Sequence, residues 1–139
     1  MRYFSLFFSL LLCLSAPARA QNVDSLFTDY DAYAAFVDKQ VMSRDFIPLM
    51  QQLGGRDEFT KEELAANQRQ LVGVWPTNFE NVTVFKRVDL GGGVLQEGRL
   101  YWTGTSYAFF YAMLHQRADD LVVITFLLNS SSKPIMDRF

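Results

Sequence analysis

Few side chains in this 139-residue sequence have the type and spacing to do chemistry, and they do not form a recognisable catalytic set. His115 is the only histidine, and Tyr111 lies four residues before it. In an extended segment the two share a face, so His115 as acid or base with Tyr111 as hydrogen-bond donor is the enzymatic arrangement the residue types allow. Tyr33 is the alternative donor. Ser130, Ser131 and Ser132 lack the strand-to-helix elbow of an activated nucleophile and read more simply as a helix cap. Gly91, Gly92 and Gly93 lie between two strand-like runs rather than before a helix, which makes them a hairpin turn and not a phosphate loop. Asp119 and Asp120 likewise read as a turn. One histidine, with no cysteine after residue 20 and no carboxylate cluster at ligand spacing, supplies no shell for zinc or iron, so neither a metal nor a cofactor is predicted.

Arg2, the apolar run Tyr3–Leu14 and Ala18-Arg19-Ala20 have the layout of a secretory signal peptide cut after Ala20. About twelve apolar residues are too few to span a bilayer, which takes about 20. The expected product is exported, periplasmic if the source is bacterial and otherwise secreted, with no membrane attachment once the leader is gone. Cys13, the only cysteine, leaves with the leader, so packing alone must hold residues 21–139 together as one domain. Loss of Arg2 and Arg19 leaves 11 basic against 15 acidic residues, a mild acidity that argues against nucleic acid as a partner.

The elements that would position these residues follow from periodicity. From Asp24 to about Met42, Tyr30, Tyr33, Ala34, Val37 and Val41 fall on one helical stripe. A second short helix carries Phe46, Ile47, Met50 and Leu53 inward, with Pro48 near its start and Gly54-Gly55 at its end. Arg56-Asp57-Glu58 reads as a charged connection. Thr60 and Glu63 form a capping-box pattern for a third helix, with Leu64, Leu71, Val72 and Trp75 inward before Pro76 stops it.

Four strand-like runs follow, about Val82–Leu90, Val94–Thr103, Tyr107–Gln116 and Leu121–Asn129. Taken through its turns as an antiparallel meander, the register sets Trp102 against Tyr107, Leu100 against Phe109 and Gly98 against Tyr111. It sets Arg87 against Glu97, Val84 against Leu100, Tyr111 against Phe126 and Met113 against Ile124. One face then holds Val82, Val84, Val88, Val94, Leu100, Trp102, Tyr107, Phe109, Tyr111, Met113, Val122, Ile124, Phe126 and Leu128, and is expected to lie under the helices. The other mixes Leu95, Tyr101, Phe110, Leu114, Val123 and Leu127 with Glu97, Arg99, Gln116 and Thr125. Apolar groups in that number on a solvent face predict a partner, most simply a second copy of the chain, with cover by the chain ends or a different protein as alternatives. Ile135, Met136 and Phe139 would dock at the open end of the sheet. The glycosylation-like triplets at Asn81 and Asn129 fall at predicted strands and read as chance.

Helices first, then a long antiparallel meander and a short terminal segment: this order resembles the ketosteroid-isomerase-like (cystatin-like) α+β cone superfamily over about Asp24–Phe139. The resemblance implies N-terminal helices packed on a curved four-stranded sheet, an apolar pocket between them and a dimer through the opposite sheet face. It also implies a choice among isomerases, dehydratases, cyclases and binding modules, which fold alone does not make. Enzymes of that group use a pocket aspartate or histidine. The face expected to line the pocket offers only Lys86, Tyr107, Tyr111 and His115 as titratable groups. The expected function is therefore a non-enzymatic exported module that binds an apolar small molecule, or a partner through a sheet face. Tyr33, Trp102, Tyr107, Phe109, Tyr111 and Met113 would line the pocket. A small isomerase- or dehydratase-type enzyme using His115 is the alternative.

Overall fold

The computed structural model describes residues 25–54 and 58–139. The predicted leader and the Arg56-Asp57 part of the charged connection lie outside these residues. The chain is α+β, with helices followed by an open antiparallel sheet. Its elements are β1 (Leu26–Phe27), α1 (Tyr30–Met42), α2 (Phe46–Gly54), α3 (Lys61–Val74), β2 (Asn81–Gly91), β3 (Val94–Thr103), β4 (Ser106–Gln116), β5 (Leu121–Asn129) and α4 (Lys133–Met136). The sheet has five strands in the order β1-β5-β4-β3-β2, one more than the sequence predicts. The additional strand is only two residues long and offers too little alternation to be read.

Local chemistry sets the helix ends. Asp29 accepts a hydrogen bond from the Ala32 amide at 2.8 Å, so α1 starts at Tyr30 rather than at Asp24. The capping box forms as the sequence predicts: Glu63 N–H donates to Thr60 Oγ1 at 3.2 Å and Thr60 N–H donates to Glu63 Oε2 at 2.7 Å. The Gln68 side chain of α3 serves two elements, accepting from the Phe46 amide at the start of α2 and donating to the Arg44 carbonyl, each at 2.8 Å. An aromatic chain of Phe46, Trp75, Phe79 and Tyr101 then carries packing from the helices to the sheet.

The hairpin β3–β4 has the expected register, with Gly98 opposite Tyr111, Leu100 opposite Phe109 and Trp102 opposite Tyr107. The other two pairings keep it only in part. Between β2 and β3 it holds from Asp89 to Lys86, including Arg87 opposite Glu97, but shifts at Leu90 beside the turn and again at a bulge at Phe85, so that Val84 faces Arg99 and not Leu100. Between β4 and β5 it holds from Gln116 to Leu114, then shifts at Ile124, so that Met113 faces Thr125 and Tyr111 faces Leu127. Each bulge moves every later side chain of its strand to the opposite face.

The helices cover the other face from the one expected. Tyr101, Ala108, Phe110, Ala112, Leu114, Leu121 and Val123 are buried beneath them, with Leu95 half-buried beside them. Beyond the bulge, Phe126 and Leu128 join the same core. Counting apolar groups fails here for two reasons. Ala108 and Ala112 are buried on this face although neither counts as a large apolar group, and the charges of this face are matched by polar groups of α1. Trp102, Tyr107, Phe109 and Met113 lie on the outer face with Tyr111. The chain end covers part of that face: Ile135 is fully buried, and the Phe139 ring sits edge-on to Tyr111 at 5.4 Å and to Phe85 at 6.4 Å. Met136 stays exposed.

Candidate functional site

Two arrangements stand out. The first is a polar cluster where α1 crosses β3. Glu97 and Arg99 are two residues apart on one face of β3, and their side chains are almost wholly buried. Arg99 Nε donates to Glu97 Oε1 at 2.5 Å, and Arg87 of β2 donates to Glu97 Oε2 at 2.8 Å. The Tyr30 hydroxyl donates to Glu97 Oε2 at 2.5 Å and accepts from Arg99 at 2.8 Å. Asp38, one side of α1, accepts from Arg99 Nη1 at 2.8 Å and from the Tyr101 hydroxyl at 2.7 Å.

Burial alone would raise the Glu97 carboxyl, but the Arg99 charge and the hydrogen bonds from Tyr30, Arg87 and Arg99 outweigh it and hold Glu97 below the usual range. Burial also opposes the Arg99 charge, and Glu97 and Asp38 more than restore it. Burial, then the Glu97 hydrogen bond and charge, push the Tyr30 phenol up to about 12. Tyr33, against the same carboxylate, and Tyr101, against Asp38, are raised well above the ordinary phenol value, burial being the first cause in both. At neutral pH Glu97 and Arg99 are thus charged and the phenols neutral, and no buried side-chain N or O atom among the described residues lacks a hydrogen-bond partner. Its chemistry is that of a clamp between α1 and the sheet.

The second arrangement is an apolar cleft of about 530 Å³ between α2, α3 and the edge of β5. Phe46, Leu49, Met50 and Leu53 of α2 and Leu71 of α3 form the helical wall, Phe59 of the connection between them adjoins it, and Phe126 and Leu128 form the floor. Thr125 and Leu127 also reach the lining, although their register puts their side chains with the outer face, so β5 contributes its edge as well as its inner side. Glu58 is the one charged residue of the lining and lies exposed at the mouth. A hydrophobic cleft of this size accommodates a small apolar ligand or a segment of chain.

The residues expected to form a pocket are not brought together. Tyr33 is buried in the helix-facing core, whereas Trp102, Tyr107, Phe109, Tyr111 and Met113 are on the outer face. The residues expected to form a partner face divide the opposite way. Leu95, Tyr101, Phe110, Leu114 and Val123 are in the core, and only Leu127 has moved outward, through the Ile124 bulge. His115 is half-buried opposite Val94 and Val122, and neither it nor Tyr111 lines the cleft. Among the described residues no three His, Cys, Asp or Glu side chains gather at metal-binding distance. No helix among them is long and apolar enough to cross a membrane.

Most of the cleft wall was named from periodicity, but as core. Phe46, Leu49, Met50 and Leu53 fall at i, i+3, i+4 and i+7, one ordinary apolar stripe, so nothing in the spacing of α2 distinguishes a cleft wall from core. No family model, no curated protein and no solved structure matches this chain.

Proposed function

We propose that this protein is an exported, non-catalytic binding module that takes an elongated apolar ligand in the cleft between α2, α3 and β5. The observation that carries the reading is the cleft itself: a hollow beside a strand edge, with Phe46, Leu49, Met50 and Leu53 buried at its back and Phe59, Leu71, Phe126 and Leu128 partly accessible around it. Apolar surface left accessible in a concave site gains roughly 25 cal/mol for each Å² that a ligand removes from water. The polar cluster supports the same reading from a distance, since it fixes α1 on the sheet without presenting an unpartnered acid or base.

A fluorescence titration with 1-anilinonaphthalene-8-sulfonate tests it. The native protein is expected to bind one equivalent saturably, and Leu71→Gln, a half-buried position of the wall, is expected to weaken binding at least fivefold with the circular dichroism spectrum unchanged. Absence of saturable binding, or equal binding by the variant, contradicts the proposal.

Self-association is a second reading, and a specific observation moves it to the outer face. Tyr107 there is 44 % exposed, beside the half-buried Trp102, Phe109 and Leu100, away from the end covered by Phe139. Light scattering should give twice the chain mass, returning to the monomer in Tyr107→Glu/Trp102→Glu; a monomer at high concentration excludes this dimer.

A further inference from the structure

The strand edge beside the cleft suggests what the ligand is. Of β5, only Leu121 and Val122 pair with β1, and Val123 N–H donates to the Ser25 carbonyl at 2.8 Å. Among the described residues the lane ends there. Ser25, the first described residue, takes φ 63°, and its own N–H donates to the Gln52 carbonyl of α2 at 2.5 Å rather than to β5. From Ile124 to Leu128 no strand among the described residues lies along this edge, and Ile124 is 52 % exposed. Those same five residues line the cleft.

We infer that the cleft binds an extended apolar peptide, which adds to the sheet as a strand antiparallel to β5, in line with β1. This rests on the cleft being the binding site. Two requirements meet only in such a ligand. The wall of Phe46, Leu49, Met50, Leu53 and Leu71 calls for apolar side chains. The outward N–H and C=O groups of β5 call for backbone partners, because a purely hydrocarbon ligand would cover them unpaired and deprive them of water. A strand satisfies both, with alternate side chains entering the cleft and its backbone bonding to β5. The direction follows from β1, which already occupies the first part of the lane and runs antiparallel to β5. The five residues of this edge with no neighbouring strand among the described residues span about 17 Å at ~3.4 Å per residue, which sets the core of the ligand at about five residues.

The test uses the purified protein and a fluorescein-labelled heptapeptide of alternating valine and threonine, with two N-methylated forms. One form carries methyl groups on the alternate amides that would face β5, and the other carries them on the amides that would face away. Fluorescence anisotropy should show saturable binding of the plain peptide, displaced by 1-anilinonaphthalene-8-sulfonate. The peptide methylated on one alternate set should bind at least tenfold more weakly, while its complement binds as the plain peptide does. Equal binding of both methylated forms, or displacement of the dye by decanoate but not by any peptide, would overturn strand addition while leaving the apolar cleft as the binding site. If neither dye nor peptide binds, both readings fall. Amide protection of residues 124–128 in the unliganded protein, together with a dimer mass, would give the edge to a second copy and would also overturn the inference.

Discussion

Glu97 is the residue on which the polar cluster turns, because four groups from three elements converge on its two oxygens. Its removal leaves Arg99 buried with only Asp38 and Tyr30 as partners. Glu97→Ala should therefore lose about 3–5 kcal/mol in urea unfolding, the cost of breaking a buried ion pair from one side. Replacing both Glu97 and Arg99 with methionine should recover much of that loss, since hydrophobic residues of similar volume often match or exceed a buried pair.

The pH dependence follows from the same contacts. Glu97 is held below its unfolded value, so its contribution is present above about pH 4.3 and is lost as pH falls through the lower folded value. Tyr30 is raised to about 12, so its contribution is present below about pH 10 and is lost as pH rises towards 12. Unfolding midpoints measured across pH should fall on both sides. Glu97→Gln should flatten the acid limb, and Tyr30→Phe should flatten part of the alkaline one. Unchanged limbs in these variants would place the titrating groups elsewhere.

At the scale of elements, the turns and the bulges decide what each strand presents. Gly93 has φ 81°, and a Cβ there would collide with the backbone carbonyl oxygen of Gln116, whose amide in turn bonds to Gly93 O at 2.8 Å. Gly92 has φ 62° but open space around it. Gly93→Ala should thus cost more than the roughly 1 kcal/mol of left-handed strain expected for Gly92→Ala, by thermal denaturation of both. Equal losses would show that only the dihedral angle matters at this hairpin.

Much of this scale could be read in the sequence. The capping box, the end of α3 before Pro76 and the β3–β4 register all follow from local patterns, because each depends on residues close in the chain. The bulges at Phe85 and Ile124 could not be read, since an extra residue breaks alternation without any compositional mark. The choice of covered face was also hidden. Glu97 and Arg99 look like solvent residues until Tyr30, Tyr33 and Asp38 of α1 are laid on them. The cleft inherits both difficulties: its helical wall was legible as an apolar set, but its floor of Phe126 and Leu128 meets that wall only because the Ile124 bulge moves the rest of β5 past it.

For the molecule as a whole, the two ends of the fold have different duties. The cluster at α1 and β3 is closed by its own ion pairs, and α4 with Phe139 closes part of the outer face. Between α2, α3 and β5, among the described residues, an apolar cleft and a strand edge without a neighbour lie together. The measurement that tests this account most directly is an amide chemical-shift map of the protein titrated with 1-anilinonaphthalene-8-sulfonate. Binding in the cleft predicts shifts concentrated in α2, α3 and Ile124–Leu128, with the Glu97 cluster and the outer face near Trp102 and Tyr107 unmoved. Shifts centred on the outer face, or spread evenly over the sheet, would contradict it.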